Sequence, residues 1–140
     1  MNCIFFGHRD APCSIKGALK KTILSLLDEG VECFYVGNNG QFDFFAQVVL
    51  KEISAQRDIK YAIVLSRINE SAIGGEQEKT LFCEGMESAL PRFAVSKRNE
   101  WLVKNASVVV AYVTNPYSNS HAWVEKARKR GAKIINLYEK

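Results

Sequence analysis

Four short stretches of the chain hold residue types that suit the binding of anions and sugars. Phe6-Gly7-His8-Arg9 ends an apolar run. A guanidinium at that point would clamp a phosphate through two parallel hydrogen bonds. An imidazole there would bond a phosphate or move a proton. The plainer alternative is that His8 and Arg9 only pin the loop. Gly37-Asn38-Asn39-Gly40-Gln41-Phe42-Asp43 follows a second apolar run. Gly37 and Gly40 give that turn backbone freedom or let a ligand come close. Asp43 accepts ribose hydroxyls, holds the Arg9 loop, or simply complements a helix start. Arg98 and Asn99 stand together in a helical stretch, as a ligand contact or as solvated surface. Ser118, Asn119 and Ser120 cap a helix or cradle a phosphate with hydroxyls and backbone N–H groups. His121 reads first as a helix-start residue. Glu125 is either a solvated helical carboxylate or a general acid/base. Tyr117, in a loop, is the better base-stacking candidate, whereas Trp101 and Trp123 sit at helical positions that usually serve the core.

These stretches need elements to position them. Asn2 to Phe6, Cys33 to Val36, Tyr61 to Leu65, Ser107 to Val113 and Lys133 to Leu137 read as short apolar strands. Between them, Ile15, Leu19, Ile23 and Leu26, and then Phe42, Phe45, Val49 and Ile53, recur at helical spacing. Ser14 is the expected N-cap of the first helix and Gly30 its stop. Ser96 to Asn105 and Ala122 to Arg130 are the other expected helices, the last ended by Gly131. Residues 66 to 95 read as a long connection with little regular structure, and the 66–90 part as a candidate lid. Strand and helix thus alternate throughout. The expected fold is α/β, a three-layer doubly wound Rossmann-like single domain over residues 1–140, with a mainly parallel sheet of about five strands. In a 3-2-1-4-5 strand order, the loops after the first and fourth strands meet where the order reverses, which is where such sheets bind ligands. Those loops are Gly7–Asp10 and Thr114–His121, with Gly37–Asp43 beside them. The placement points to a nucleotide-like ligand.

Composition excludes several classes. The 140 residues are 47% hydrophobic and 24% charged, with a formal net charge of +4. That is an ordinary globular balance rather than a disordered or fibrous one. No apolar run approaches the roughly 20 residues of a membrane helix, and the N-terminus lacks a signal-peptide pattern. No membrane association and a cytoplasmic location are therefore expected. Lys126, Arg128, Lys129, Arg130 and Lys133 carry much of the positive excess. They complement a helix C-terminus or, as the sharper alternative, form a phosphate patch. Cys3, Cys13, Cys33 and Cys83 are scattered without a C-x-x-C pair, so no metal site is expected. Reduced thiols are the reading, with Cys13 near His8 as a candidate reactive one. There is no G-x-G-x-x-G after the first strand, no G-x-x-x-x-G-K-[ST] and no G-x-S-x-G. A Rossmann dehydrogenase, a P-loop NTPase and an α/β-hydrolase are disfavoured, and no cofactor is expected.

Taken together, Phe6-Gly7-His8-Arg9, Gly37 to Asp43, Pro91-Arg92-Phe93-Ala94-Val95-Ser96-Lys97-Arg98-Asn99-Glu100-Trp101-Leu102 and the turn Tyr117 to His121 resemble, in order and spacing, the small standalone members of the SLOG superfamily. That group is related to the Lonely-guy phosphoribohydrolases and to the Rossmann-like domain of DNA-processing protein A. The resemblance covers nearly the whole chain and implies a nucleotide or nucleotide-derivative site at the strand ends. In Lonely-guy enzymes an arginine and a glutamate act with Pro-Gly-Gly-x-Gly-Thr-x-x-Glu to cleave the base–ribose bond, and Arg98 matches that arginine. The corresponding stretch here, Pro116 to Glu125, lacks the glycines, and Glu125 is one residue out of register. The resemblance also implies self-association as a homodimer, with the sheet edge or a helix pair as the available faces.

Three functions follow. The first is a sensor or binding module for a nucleotide or its derivative, its phosphate resting on Ser118–Ser120 and Gly7–Arg9, with Arg9 and Arg98 supplying charge. The second is an N-glycosidase acting on nucleoside monophosphates, with Arg98, Glu125 and Asp43 as the catalytic residues. The third is a nucleic-acid-associated module. That one ranks last because the basic cluster has only Tyr138 near it for stacking.

Overall fold

The computed structural model describes residues 1–38, 40–65, 80–82 and 93–139. The candidate lid and Cys83 lie outside the described residues. Strands β1 (Asn2–Gly7), β2 (Cys33–Val36), β3 (Lys60–Leu65), β4 (Thr80–Phe82), β5 (Val108–Tyr112) and β6 (Lys133–Asn136) alternate with helices α1 (Ile15–Asp28), α2 (Gln41–Ser54), α3 (Ala94–Lys104) and α4 (Asn119–Lys129). The strands form one parallel sheet in the order β4-β3-β2-β1-β5-β6. The five expected strands are present in the expected order. The sixth, β4, is a correction: Thr80–Phe82 lies inside the stretch read as an irregular connection and pairs with β3 at the sheet edge.

Period-two alternation along the strands builds the layers. Cys3 and Phe5 of β1 join the core beneath α1 and α2, while Ile4 and Phe6 join the core beneath α3 and α4. Val108 and Val110 of β5 divide from Val109 and Ala111 in the same way. The sheet is thus covered on both faces, which makes the molecule a three-layer α/β domain of Rossmann-like form.

The ends of the helices set the site. Gly131, at φ 97°, ends α4: its N–H reaches the Arg128 carbonyl at 3.0 Å and the Ala132 N–H reaches Ala127 at 3.2 Å. Ser14 precedes α1 but makes no side-chain capping bond; the first turn leans instead on the Pro12 and Cys13 carbonyls. Ser118 does cap α4, accepting from the His121 N–H at 3.2 Å. That cap starts α4 at Asn119, three residues earlier than apolar spacing alone indicates.

Candidate functional site

The sheet reverses direction of growth at β1, which has β2 on one side and β5 on the other. A cavity of about 450 Å³ opens at the C-terminal ends of these strands and runs between α3 and α4. Gly7 and Arg9 line it from the end of β1, Gly37 and Asp43 from the end of β2 and the start of α2. Arg98 and Asn99 come from α3, and Asn119 and Ser120 from the start of α4. Eight of the residues singled out by type and spacing therefore meet in one place.

Close approach explains the glycines. A Cβ on Gly7 would overlap the Phe42 ring, so glycine lets the end of β1 lie directly on α2. A Cβ on Gly40, at φ 101°, would stand 2.8 Å from the Arg9 Cα. Without it, the Gln41 N–H reaches the Arg9 carbonyl at 2.8 Å, and the two loops close on each other. A Cβ on Gly37 would stand 2.9 Å from both the Arg98 guanidinium and an Asp43 carboxylate oxygen. That carboxylate and guanidinium are therefore neighbours across Gly37.

Arg98 is only 3% exposed, so its charge has to be met by buried partners. Its Nε and Nη2 donate to the Asn99 Oδ1 at 3.3 and 3.1 Å, and its Nη1 donates to the Asn38 Oδ1 at 3.1 Å. Gln47, one turn into α2 beyond Asp43, donates from Nε2 to the Gly37 carbonyl at 2.9 Å and fixes the strand end. Nothing in the sequence marks Gln47, because a glutamine on an apolar helix face carries no signal for such a bond.

The candidates differ in what engages them and in whether they reach the cavity. The His8 Nε2 accepts from the Thr114 N–H at 2.7 Å and the Asn115 N–H at 3.3 Å, which ties the β1 loop to the β5 loop. It is a loop pin and does not line the cavity. Ser118 is occupied as the cap, and its Oγ donates to the Asn115 carbonyl at 2.8 Å. The Ser120 Oγ donates to the Gly7 carbonyl at 3.0 Å and holds the start of α4 on β1. Glu125 turns away from the cavity and pairs with Arg128 at 3.3 Å. Tyr117 is 94% exposed and outside the cavity. Trp101 packs edge-on against Tyr35 with centroids 5.1 Å apart. Trp123 stacks on Phe6 with ring centroids 6.3 Å apart, the core role weighed for it, and it also lines the cavity.

Lys126 lines the cavity too, its Nζ 4.1 Å from the Trp123 ring centre. In sequence it belongs with the basic residues of the helix end. The signal was in the period: Asn119, Trp123 and Lys126 share one face of α4, whereas Glu125 does not. Cys3 is buried and burial pushes its thiol well above the usual range, as suits an inert core residue; Cys13 is exposed. No group of three or more His, Cys, Asp or Glu among the described residues could hold a metal ion. No described helix is long and apolar enough to cross a membrane.

Comparison of the chain with protein-family models and with curated proteins finds no match.

Proposed function

We propose that this protein binds a nucleotide or nucleotide-derived ligand in the cavity between α3 and α4, as a sensor or binding module of SLOG type. The observation that carries this is the convergence of Arg9, Arg98, Asn119 and Ser120 on one cavity at the reversal point of a parallel sheet. An anion there meets two guanidinium groups and the N-terminus of an 11-residue helix. Asp43, beside Arg98 at the end of β2, suits ribose hydroxyls. A binding role is favoured over catalysis because Glu125 is paired with Arg128 outside the cavity, leaving one lining carboxylate among the described residues.

A second reading, hydrolysis of the base–ribose bond, rests on that carboxylate. Asp43 is buried beside Arg98, where it would steady oxocarbenium character or direct a water. Proton NMR of AMP, GMP, CMP, UMP, NAD and ADP-ribose with the protein separates the two. Selective line broadening with no new peaks is the expected result. Free-base signals growing over hours would establish the glycosidase instead. No change for any compound would overturn both.

A further inference from the structure

We propose that the far part of this cavity takes a second phosphoryl group of the ligand, held by Lys126. The inference rests on the nucleotide reading above and narrows it to nucleotides with two phosphoryl groups. Residues 119, 123 and 126 of α4 and 95, 98 and 102 of α3 all line the cavity, so it follows the helices for about two turns, ~10 Å. One phosphate at the start of α4 would leave the far end of that groove empty. What stands there is chemically specific. Trp123 packs on Phe6 of β1 and is thereby fixed, and the Lys126 ammonium rests on its ring.

That ammonium has no carboxylate partner among the described residues. Its neighbour Glu125 is engaged by Arg128, and the Glu29 carboxylate by Lys133. Helical side chains lean toward the N-terminus, and the Lys126 Nζ accordingly rests back over the Trp123 ring, 4.1 Å from its centre. A compact, strongly hydrated cation held this way suits an anion better than a base edge.

Two sources would supply the second group, a 5′-diphosphate and a 3′,5′-bisphosphate, and calorimetry distinguishes them. The four common nucleoside 5′-monophosphates, 5′-diphosphates and 3′,5′-bisphosphates would be titrated into the wild type, Lys126→Met, Lys126→Arg and Lys129→Met. Lys129 lies on the same helix outside the cavity. At least one doubly phosphorylated series should bind the wild type about tenfold tighter than its monophosphate, the size of one charge-assisted hydrogen bond. Lys126→Met should bring that ratio near one, while Lys126→Arg and Lys129→Met keep it. The preference should shrink as salt rises from about 50 to 500 mM, because the ammonium is exposed. Monophosphate binding with no preference, or equal losses in Lys126→Met and Lys129→Met, would overturn this inference alone. No binding by any nucleotide would overturn the nucleotide reading and this inference with it.

Discussion

The two faces of the sheet are built from alternate residues of the same strands, yet they are finished differently. Beneath α1 and α2 the core is continuous, with Leu19, Ile23, Phe34 and Leu50 all sealed from solvent. Beneath α3 and α4 the described core is smaller, 11 buried residues against 23, and a cavity occupies the space between the helices. Polar side chains are buried beside that cavity: Arg98, Asn99, Asp43 and Gln47. Among the described residues, one face is a closed core and the other leaves a cavity between its helices. Close-packed interiors tolerate few voids, so an open groove along two helices forgoes packing that the other face keeps.

Core truncation would break this comparison most directly. Leu50→Ala, in the sealed face, should cost about 3–4 kcal/mol. Leu102→Ala, buried but lining the cavity, should cost about 2 kcal/mol, because part of its surroundings is already open. Urea denaturation of both would check it, and equal losses would remove the asymmetry. Gly37→Ala comes next. Its Cβ must displace the Arg98 guanidinium or the Asp43 carboxylate, for an expected loss of about 1–3 kcal/mol and weaker nucleotide binding in calorimetry. The two serine caps sharpen the same contrast on a smaller scale. Ser118→Ala should cost about 1 kcal/mol, while Ser14→Ala, which removes no capping bond, should be near neutral in thermal melts.

The smallest effect is alkaline. A hydrogen bond with Cys33, then partial burial, pushes the Tyr35 phenol up to about 12. A group raised on folding favours the folded state below its unfolded value and loses that contribution as pH climbs past it. Wild-type stability should therefore decline between pH 10 and 12, and Tyr35→Phe should flatten that limb. Denaturation at stepped pH would show it.

Most of the fold was legible because buried parallel strands are nearly continuous apolar runs, as in Val108–Tyr112, and helices repeat their apolar positions, as from Phe42 to Ile53. β4 was not legible: three residues, Thr80–Phe82, in a polar stretch give too short a pattern to stand out. Six of the cavity-lining candidates, Gly7, Arg9, Gly37, Asp43, Asn119 and Ser120, were legible from position, since strand-end loops converge where strand order reverses; Arg98 and Asn99, on α3, were picked out by residue type and by the family resemblance. Lys126 and Glu125 show where this fails. They are adjacent in sequence, yet one-residue steps rotate a helix by about 100°, which sends one to the groove and the other to Arg128. His8 was ambiguous because a ligand contact and a loop pin demand the same residue at the same place; the bonds from the Thr114 and Asn115 N–H groups to its Nε2 show the pin, which sequence alone could not.

The pairing of β1 with β5 also dictates when the site comes into being. The segment from β1 to β3 closes on itself through near neighbours in sequence, β1 on β2 and β2 on β3. The loop that completes the cavity is tied to β1 by a contact between His8 and Thr114, 106 positions apart. Contacts this distant form late, because a long stretch of chain must be ordered before they return any stability. During synthesis, which proceeds from the N-terminus, the first half can pair before α4 has left the ribosome, with one side of β1 still open. The cavity is therefore completed only once α4 has emerged, and until β5 pairs with it the central strand offers an unpaired edge to whatever meets it first.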